Sequence, residues 1–524
     1  TILSSGNDGN LHVSYLNGDS FCKGWSFPVP YVTSVSELIK RKAPGSEFAV
    51  PPVLVTGYHG NAFRVIDLDS GYEYLRIDTG GRQRILDFRV EPIGFSTGDM
   101  VCQYHLAVCI GQRNGSNRVL LQLLAPSAKL HAEHWMIATG IKMHRETIFG
   151  STSFTLTSAD IMFLVTASED CTSRLSAWRK GKIVDSMPLT PQESCVRCVG
   201  SSQMTKASAL VVVGGGKLSL QFFLVESDTG ANLKSTKDLR IFYLGKGLTG
   251  RKEEASIDHR INAVKAIPVD KHNRVHLVIA GDSDGNLHVF LIPEVNPTDQ
   301  KSRFGVILPT SSRPILSIEA FPIFDRIFII IGTTGGEILA FDLPGSLSRL
   351  QGIWSDLSTE WTQLGSYQGH QMGANTMCGY VLSTEMMGGS NRTATIAVLT
   401  GGDDQALCMG RVVVCQSDSC GPLHLRGKPL VQITPEASFS AIKKVSHLQL
   451  HGNHFLLSVG YSQQLCLWSI KDSDHKNGVL QVISRVPVDL GDVNSMTVCE
   501  LSKDSLDCWI AVCGMGVEIF RLID

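Results

Sequence analysis

Short apolar runs recur along this chain, each followed by a turn of small residues and then by a segment in which apolar and polar residues alternate. The fragment DGNLHV stands at 8–13 and again at 284–289, in the same context both times. ILSS or VIAG precedes it, and LHVSYL or LHVFLI carries it on. An apolar strand, a tight Asp-Gly turn and an alternating strand make a β-hairpin. Ten segments share the pattern: 2–16, 53–68, 106–123, 162–178, 209–225, 276–292, 327–343, 396–414, 455–470 and 509–523. Their turns lie 47 to 69 residues apart. That spacing leaves room for four short strands per unit, the mark of a β-propeller. Helical repeats would place apolar residues at three and four spacing, and these runs alternate by two.

Ten units exceed one ring, because propellers close with four to eight blades. The expected fold class is therefore all-β: a complete seven-bladed propeller over 134–524, preceded by about three blades of another propeller over 1–133. The segment HWMIATGI at 134–141 is placed to supply the outer strand of the last blade, whose own strands end at Leu522. A three-blade arc alone would leave a sheet edge unpaired. The chain also opens at Thr1, inside an apolar strand and without Met. It reads as a piece of a longer protein.

Several units carry the WD40 repeat pattern. There, a His ahead of the inner strand, a Ser or Thr in the next strand and an Asp at the hairpin turn bond one another, with a Trp in the third strand. Such a network satisfies buried polar groups and locks the turn. His370, Thr400 and Asp404 fit it, as do His259 with Asp284. Thr166, Asp170 and Trp178 fit with the Trp two residues late; Ser458 and Trp468 fit with Ser462 in the Asp place. Because these residues recur in blade register, they are expected to be structural and not catalytic.

Composition narrows the function. Charged residues are 18% of 524 and the formal net charge is −2, so no global basic footprint marks a nucleic-acid binder. The pairs Arg179-Lys180, Arg251-Lys252 and Lys443-Lys444, like Lys40-Arg41-Lys42, read as solvated loops. The 14 Cys are scattered, many within apolar runs, which suits buried, reduced thiols and a cytoplasmic location. Cys195 and Cys198 form one CxxC without a second ligand pair, and strand alternation points their sulfurs apart, so no metal is expected. No apolar run approaches the length of a membrane span. GKGLTG at 245–250 spells GxGxxG, but the charged RKEEASIDHR follows where a helix is needed. The sequence contains no HExxH. The chain reads as a non-enzyme.

One family resemblance runs in order across nearly all of the chain. VTGYHGNAFRVID (55–67), Gly80-Gly81-Arg82, MHRETI (143–148) with SEDCT (168–172), GHQMGAN (369–375) and the ending WIAVCGMGVEIFRLID carry it. The chain resembles the C-terminal half of the WD repeat-containing protein six family, the WD-repeat partner of a tRNA 2′-O-methyltransferase. It departs from that family at His144, where a Gly is usual, and at Ala62, where an acid is usual.

The resemblance implies a non-catalytic adaptor. The propeller protein would bind the methyltransferase subunit and position tRNA for ribose methylation of the wobble nucleotide, position 34. It would hold no cofactor, S-adenosylmethionine lying on the partner. Shape and 2′-OH contacts dominate recognition of structured RNA, so a rigid partner that holds the tRNA body makes physical sense. Tyr58, His59, Asn61, Phe63, Gly80, Gly81, Arg82, Arg145 and Glu146 are the candidate partner or RNA residues. The competing readings are a general WD40 scaffold in signalling, ubiquitin-ligase substrate recruitment or endosomal trafficking, and an enzyme built on a propeller.

Overall fold

A computed structural model defines the architecture. It describes 1–133 chiefly as strand backbone, with side chains at Thr56, Tyr58 and Phe63. It describes 134–524 apart from connecting stretches, the longest being 228–235, 247–258, 270–274, 294–303, 345–360, 472–478 and 501–507. The chain divides into two compact units, 1–133 and 134–524.

In 134–524 the strands form seven successive antiparallel sheets, six of four strands and one of five. This is a seven-bladed β-propeller. The inner strands of blades 1 to 7 are Ile148–Thr155, Val196–Gln203, Ile261–Pro268, Ile315–Ile323, Ala374–Met386, Ile442–Leu450 and Ser495–Glu500. Each touches the next, and the last returns to the first. Seven of the ten hairpins expected from sequence form the second and third strands of these blades; Val275 to Gly281 pairs with Pro293 to Leu287, for example. Trp135–Ile141 pairs with Gly516–Leu522 and so takes the outer place in the last blade. Both ends of the ring thus share one sheet, which closes the ring and leaves only the short outer edges of the blades.

The ring has no single core. Its buried apolar side chains gather in seven clusters, one at each junction between neighbouring blades. The second strand of a blade is covered on both faces, so all of Arg326–Thr333 and Ser208–Gly215 is buried. Continuous apolar stretches such as Phe328 to Ile331 follow from that double burial. The closing junction joins blade 7 to blade 1, where Trp178 meets Trp509 edge-on at 5.8 Å.

In 1–133 the three expected hairpins also form. Ile2 to Ser5 pairs with Ser14 to Leu11, Leu54 to His59 with Asp67 to Ala62, and His105 to Arg113 with Leu124 to Ser116. Each belongs to a sheet of three or four strands.

Candidate interaction face and channel mouth

Within a blade the chain runs outward through four antiparallel strands. The turn between the second and third strands therefore lies at the same end as the connection into the next blade. Backbone hydrogen bonds tie the two together around the ring: Glu169 N to Thr147 O, Asp403 N to Gly373 O, Thr334 N to Pro314 O and Met515 N to Gly491 O, all 2.8–3.1 Å. The result is one interlocked loop face.

Two buried side-chain networks fix its turns. In blade 5, His370 Nε2 lies 2.8 Å from Thr400 Oγ1, and Nδ1 lies 2.9 Å from Asp404 Oδ1. A carboxylate only accepts, so Nδ1–H donates and Nε2 accepts the Thr400 hydroxyl. The other Asp404 oxygen accepts Gln371 N at 2.8 Å. Blade 1 repeats this arrangement. His144 Nε2 lies 2.8 Å from Thr166 Oγ1, Nδ1 lies 2.9 Å from Thr172 Oγ1 and 3.3 Å from Asp170 Oδ2, and Asp170 accepts Arg145 N at 2.9 Å. Burial, outweighing the pull of Asp170, holds the His144 imidazole below its ordinary value and thus neutral. The sequence reading missed His144 as a network member, treating it as a departure from a family pattern. Its place, four residues ahead of the blade's first apolar residue as with His370, was the available signal.

Two expected networks differ. His259 approaches Asp284 only to 3.5 Å, and each side chain is about one-third exposed, 35% and 34%. The buried carboxylate of blade 3 is Asp282, which accepts from Asp284 N, Asn286 N and His288 Nε2, each at 2.8 Å. Burial alone would raise its carboxyl; the bonds from His288 and Asn286 hold it below the usual range instead. His259 sits two residues from the position that His370 occupies in its blade, so it cannot reach under the turn. Trp178 is the second correction. Its Nε1 is buried with no hydrogen-bond partner among the described residues, and the ring packs on Trp509. Displaced by two residues, it stays on the face of Thr166 but stands opposite Met162, too far along the strand to reach that hydroxyl. Trp468, in phase, donates to Ser458 Oγ at 2.9 Å, while Ser462 accepts from Ser438 Oγ at 3.1 Å.

The partner candidates divide. The Arg145 and Glu146 side chains are exposed on the loop face, beside the His144 network. Tyr58 and Phe63 are a buried cross-strand pair, 8% and 3% exposed, with ring centroids 5.3 Å apart. Their rings serve packing, because a cross-strand aromatic pair covers itself. His59 lies on strand backbone, its side chain outside the described residues, and Asn61, Gly80, Gly81 and Arg82 fall outside them altogether.

The loop face carries features the sequence reading did not single out. Met372, Phe439, Tyr461 and Met515 are 56%, 52%, 44% and 42% exposed, on loops of the consecutive blades 5, 6 and 7. Lys443 Nζ stands 4.9 Å from the Tyr461 ring, and the Arg485 guanidinium 6.0 Å from the Phe439 ring. Exposed aromatics and methionines bordered by cations match the make-up of protein-binding surfaces.

At the centre of the ring the inner strands surround a cavity of about 120 Å³. Each of the first six inner strands carries a β-bulge near its start. The extra residues are Phe149, Arg197, Asn262, Leu316, Asn375 and Lys443, and all six line the cavity. A bulge bends its strand locally and re-aims a side chain. Lys443-Lys444 therefore belongs to the channel wall and not to a solvated loop, a second strand of blade 6 covering its other side. Cys198 also lines the cavity and donates to Ile261 O at 3.7 Å. Burial pushes its thiol up to about 12. Among the described residues no group of three His, Cys, Asp or Glu could hold a metal ion. GKGLTG ends the outer strand of blade 2 at Gly245-Lys246, the rest lying outside the described residues.

No protein-family model matches the chain, and no curated protein does. Among solved structures, the crystal structure of RRP9 WD40 repeats is similar over 75% of this chain and 98% of its own, at 14% identity and a TM-score of 0.42.

Proposed function

We propose that this chain is a non-catalytic adaptor that binds a tRNA 2′-O-methyltransferase and positions tRNA for ribose methylation at the wobble nucleotide. The observation that carries the adaptor role is the loop face: rigid, closed by interlocked backbone bonds, and presenting Met372, Phe439, Tyr461 and Met515 to solvent. A surface that is already ordered loses little entropy when a partner docks. The methyltransferase as that partner rests on the family resemblance of MHRETI and the other stretches, whose Arg145 and Glu146 lie on the same face. In this reading the protein holds and the partner reacts, with S-adenosylmethionine on the partner and the work done in the cytoplasm.

The test is to map ribose methylation in tRNA from cells depleted of this protein, and to identify what copurifies with it. Loss of position-34 methylation together with capture of a methyltransferase is the expected result. Unchanged methylation at that position sinks the tRNA assignment. Partners indifferent to RNA would point to a general scaffold, a use the same exposed face would serve.

A further inference from the structure

The inner-strand position just after the bulge residue is small in five blades, Gly150, Cys198, Ala263, Ser317 and Thr376, with Ser495 lining the cavity from blade 7. In blade 6 it is Lys444. One long cation thus enters a ring of short side chains in the central cavity. The acids nearby are already matched. Asp403 takes Lys443 Nζ at 2.9 Å and Asn375 Nδ2 at 2.6 Å, and Glu319 takes Lys265 Nζ at 2.5 Å. Arg197 and Lys444 are different. Arg197 Nε is buried with no hydrogen-bond partner among the described residues, and neither cation has an ion pair there. The Arg197 guanidinium stands 5.1 Å from the Phe149 ring.

We propose that the channel mouth is a binding site for a dianionic phosphate group, held between Arg197 and Lys444. Arg197, Lys265, Lys443 and Lys444 share only Asp403 and Glu319, Glu319 serving both Lys265 and Lys444, which leaves two positive charges in excess, the complement of a phosphate monoester near neutral pH. A guanidinium offers paired donors and an ammonium a compact charge, a combination suited to phosphate oxygens. The small residues around Lys444 leave the space. Burial, and then the neighbouring Lys265, hold the Lys444 ammonium below its ordinary value. A bound anion would reverse that. The site opens at the loop-face end, where Lys443 both lines it and meets Tyr461, but it does not rest on the adaptor reading.

The experiment titrates the 524-residue chain with inorganic phosphate, phosphoserine and acetate at fixed ionic strength and pH 7.5, by calorimetry and thermal midpoint. Saturable one-site phosphate binding is expected, weakened at least tenfold by Lys444→Met and by Arg197→Gln. Lys428→Met, exposed on the outer part of blade 5, leaves it unchanged. Circular dichroism checks the folding of each variant, and either of the two channel variants suffices. Tighter binding of phosphoserine than of phosphate supports the site and identifies a phosphorylated macromolecule as the source; the reverse order supports it and points to free phosphate. A response that chloride reproduces, equal affinity for acetate, or phosphate affinity unchanged in folded channel variants would overturn the proposal.

Discussion

His370 and His144 show what a single buried imidazole does here. Each bridges a second-strand Thr to a turn Asp, and removing either breaks both bonds in a buried setting, although each Asp keeps its backbone donors. An orphaned buried polar group costs about 1–3 kcal/mol. His370→Ala and His144→Ala are therefore each expected to lose about 2–3 kcal/mol in urea unfolding, and the partly exposed His259→Ala less than about 0.5 kcal/mol. Equal losses in all three would contradict the corrected assignment. Backbone geometry at the turns makes a separate prediction. Gly336 has φ +76°, and an added Cβ would sit 2.2 Å from His370 O. In the matching turn of blade 5 the exposed Gln405 holds φ +68°. Left-handed backbone costs an L-residue about 1–2 kcal/mol. Gln405→Gly should raise the unfolding midpoint by the equivalent of about 1 kcal/mol, and Gly336→Ala should lower it by more.

Neighbouring blades are held together as much by polar contacts between inner strands as by apolar packing. Ser317 Oγ donates to Ala374 O, Asn262 Nδ2 to Ile315 O, and Ser151 meets Ser495, at 2.8–3.1 Å. Between blades 5 and 6 a stack takes over: Tyr380 lies 4.0 Å from His447 and 4.2 Å from His454, ring to ring. Burial, with the repulsion of His454 added, pushes the His447 imidazole down to about 4. In the unfolded chain the same group titrates near 6.5. Between those values the unfolded state binds more protons, so stability is complete above pH 6.5 and falls as pH drops toward 4. The expected loss across that window is about 2 kcal/mol, allowing for screening at a partly exposed ring. Replacing the group by His447→Phe should flatten the slope of stability against pH. A slope unchanged by the substitution would place the titration elsewhere.

On the scale of the ring, closure turns loops from seven blades into one surface. If the loop face docks a protein partner, Met372→Asp combined with Phe439→Asp should weaken capture of that partner at least tenfold. Because both side chains are exposed, the unfolding free energy should move by less than about 0.5 kcal/mol. A pull-down that stays intact, from a double variant of normal stability, would move the partner surface to another face.

Alternation by two, small-residue turns and the repeat of DGNLHV were enough to find all ten hairpins and the closing strand at 134–141, because strand pairing and turns are local chemistry. The networks of His370–Thr400–Asp404 and Ser458–Trp468 were legible for the same reason: their spacing within a blade is fixed by the hairpin. What needed the folded ring were contacts made by phase and by neighbours. A two-residue offset sent Trp178 to Trp509 and left His259 short of Asp284, while Asp282 and His288 took over the buried role. The bulges that turn Arg197 and Lys443 into the channel leave no mark in a periodic pattern, since an extra residue in one strand is defined only by the strand opposite it. Sequence fixes which strands exist and where they turn. Only closure of the ring decides which side chains face solvent, which face the next blade and which meet at the centre.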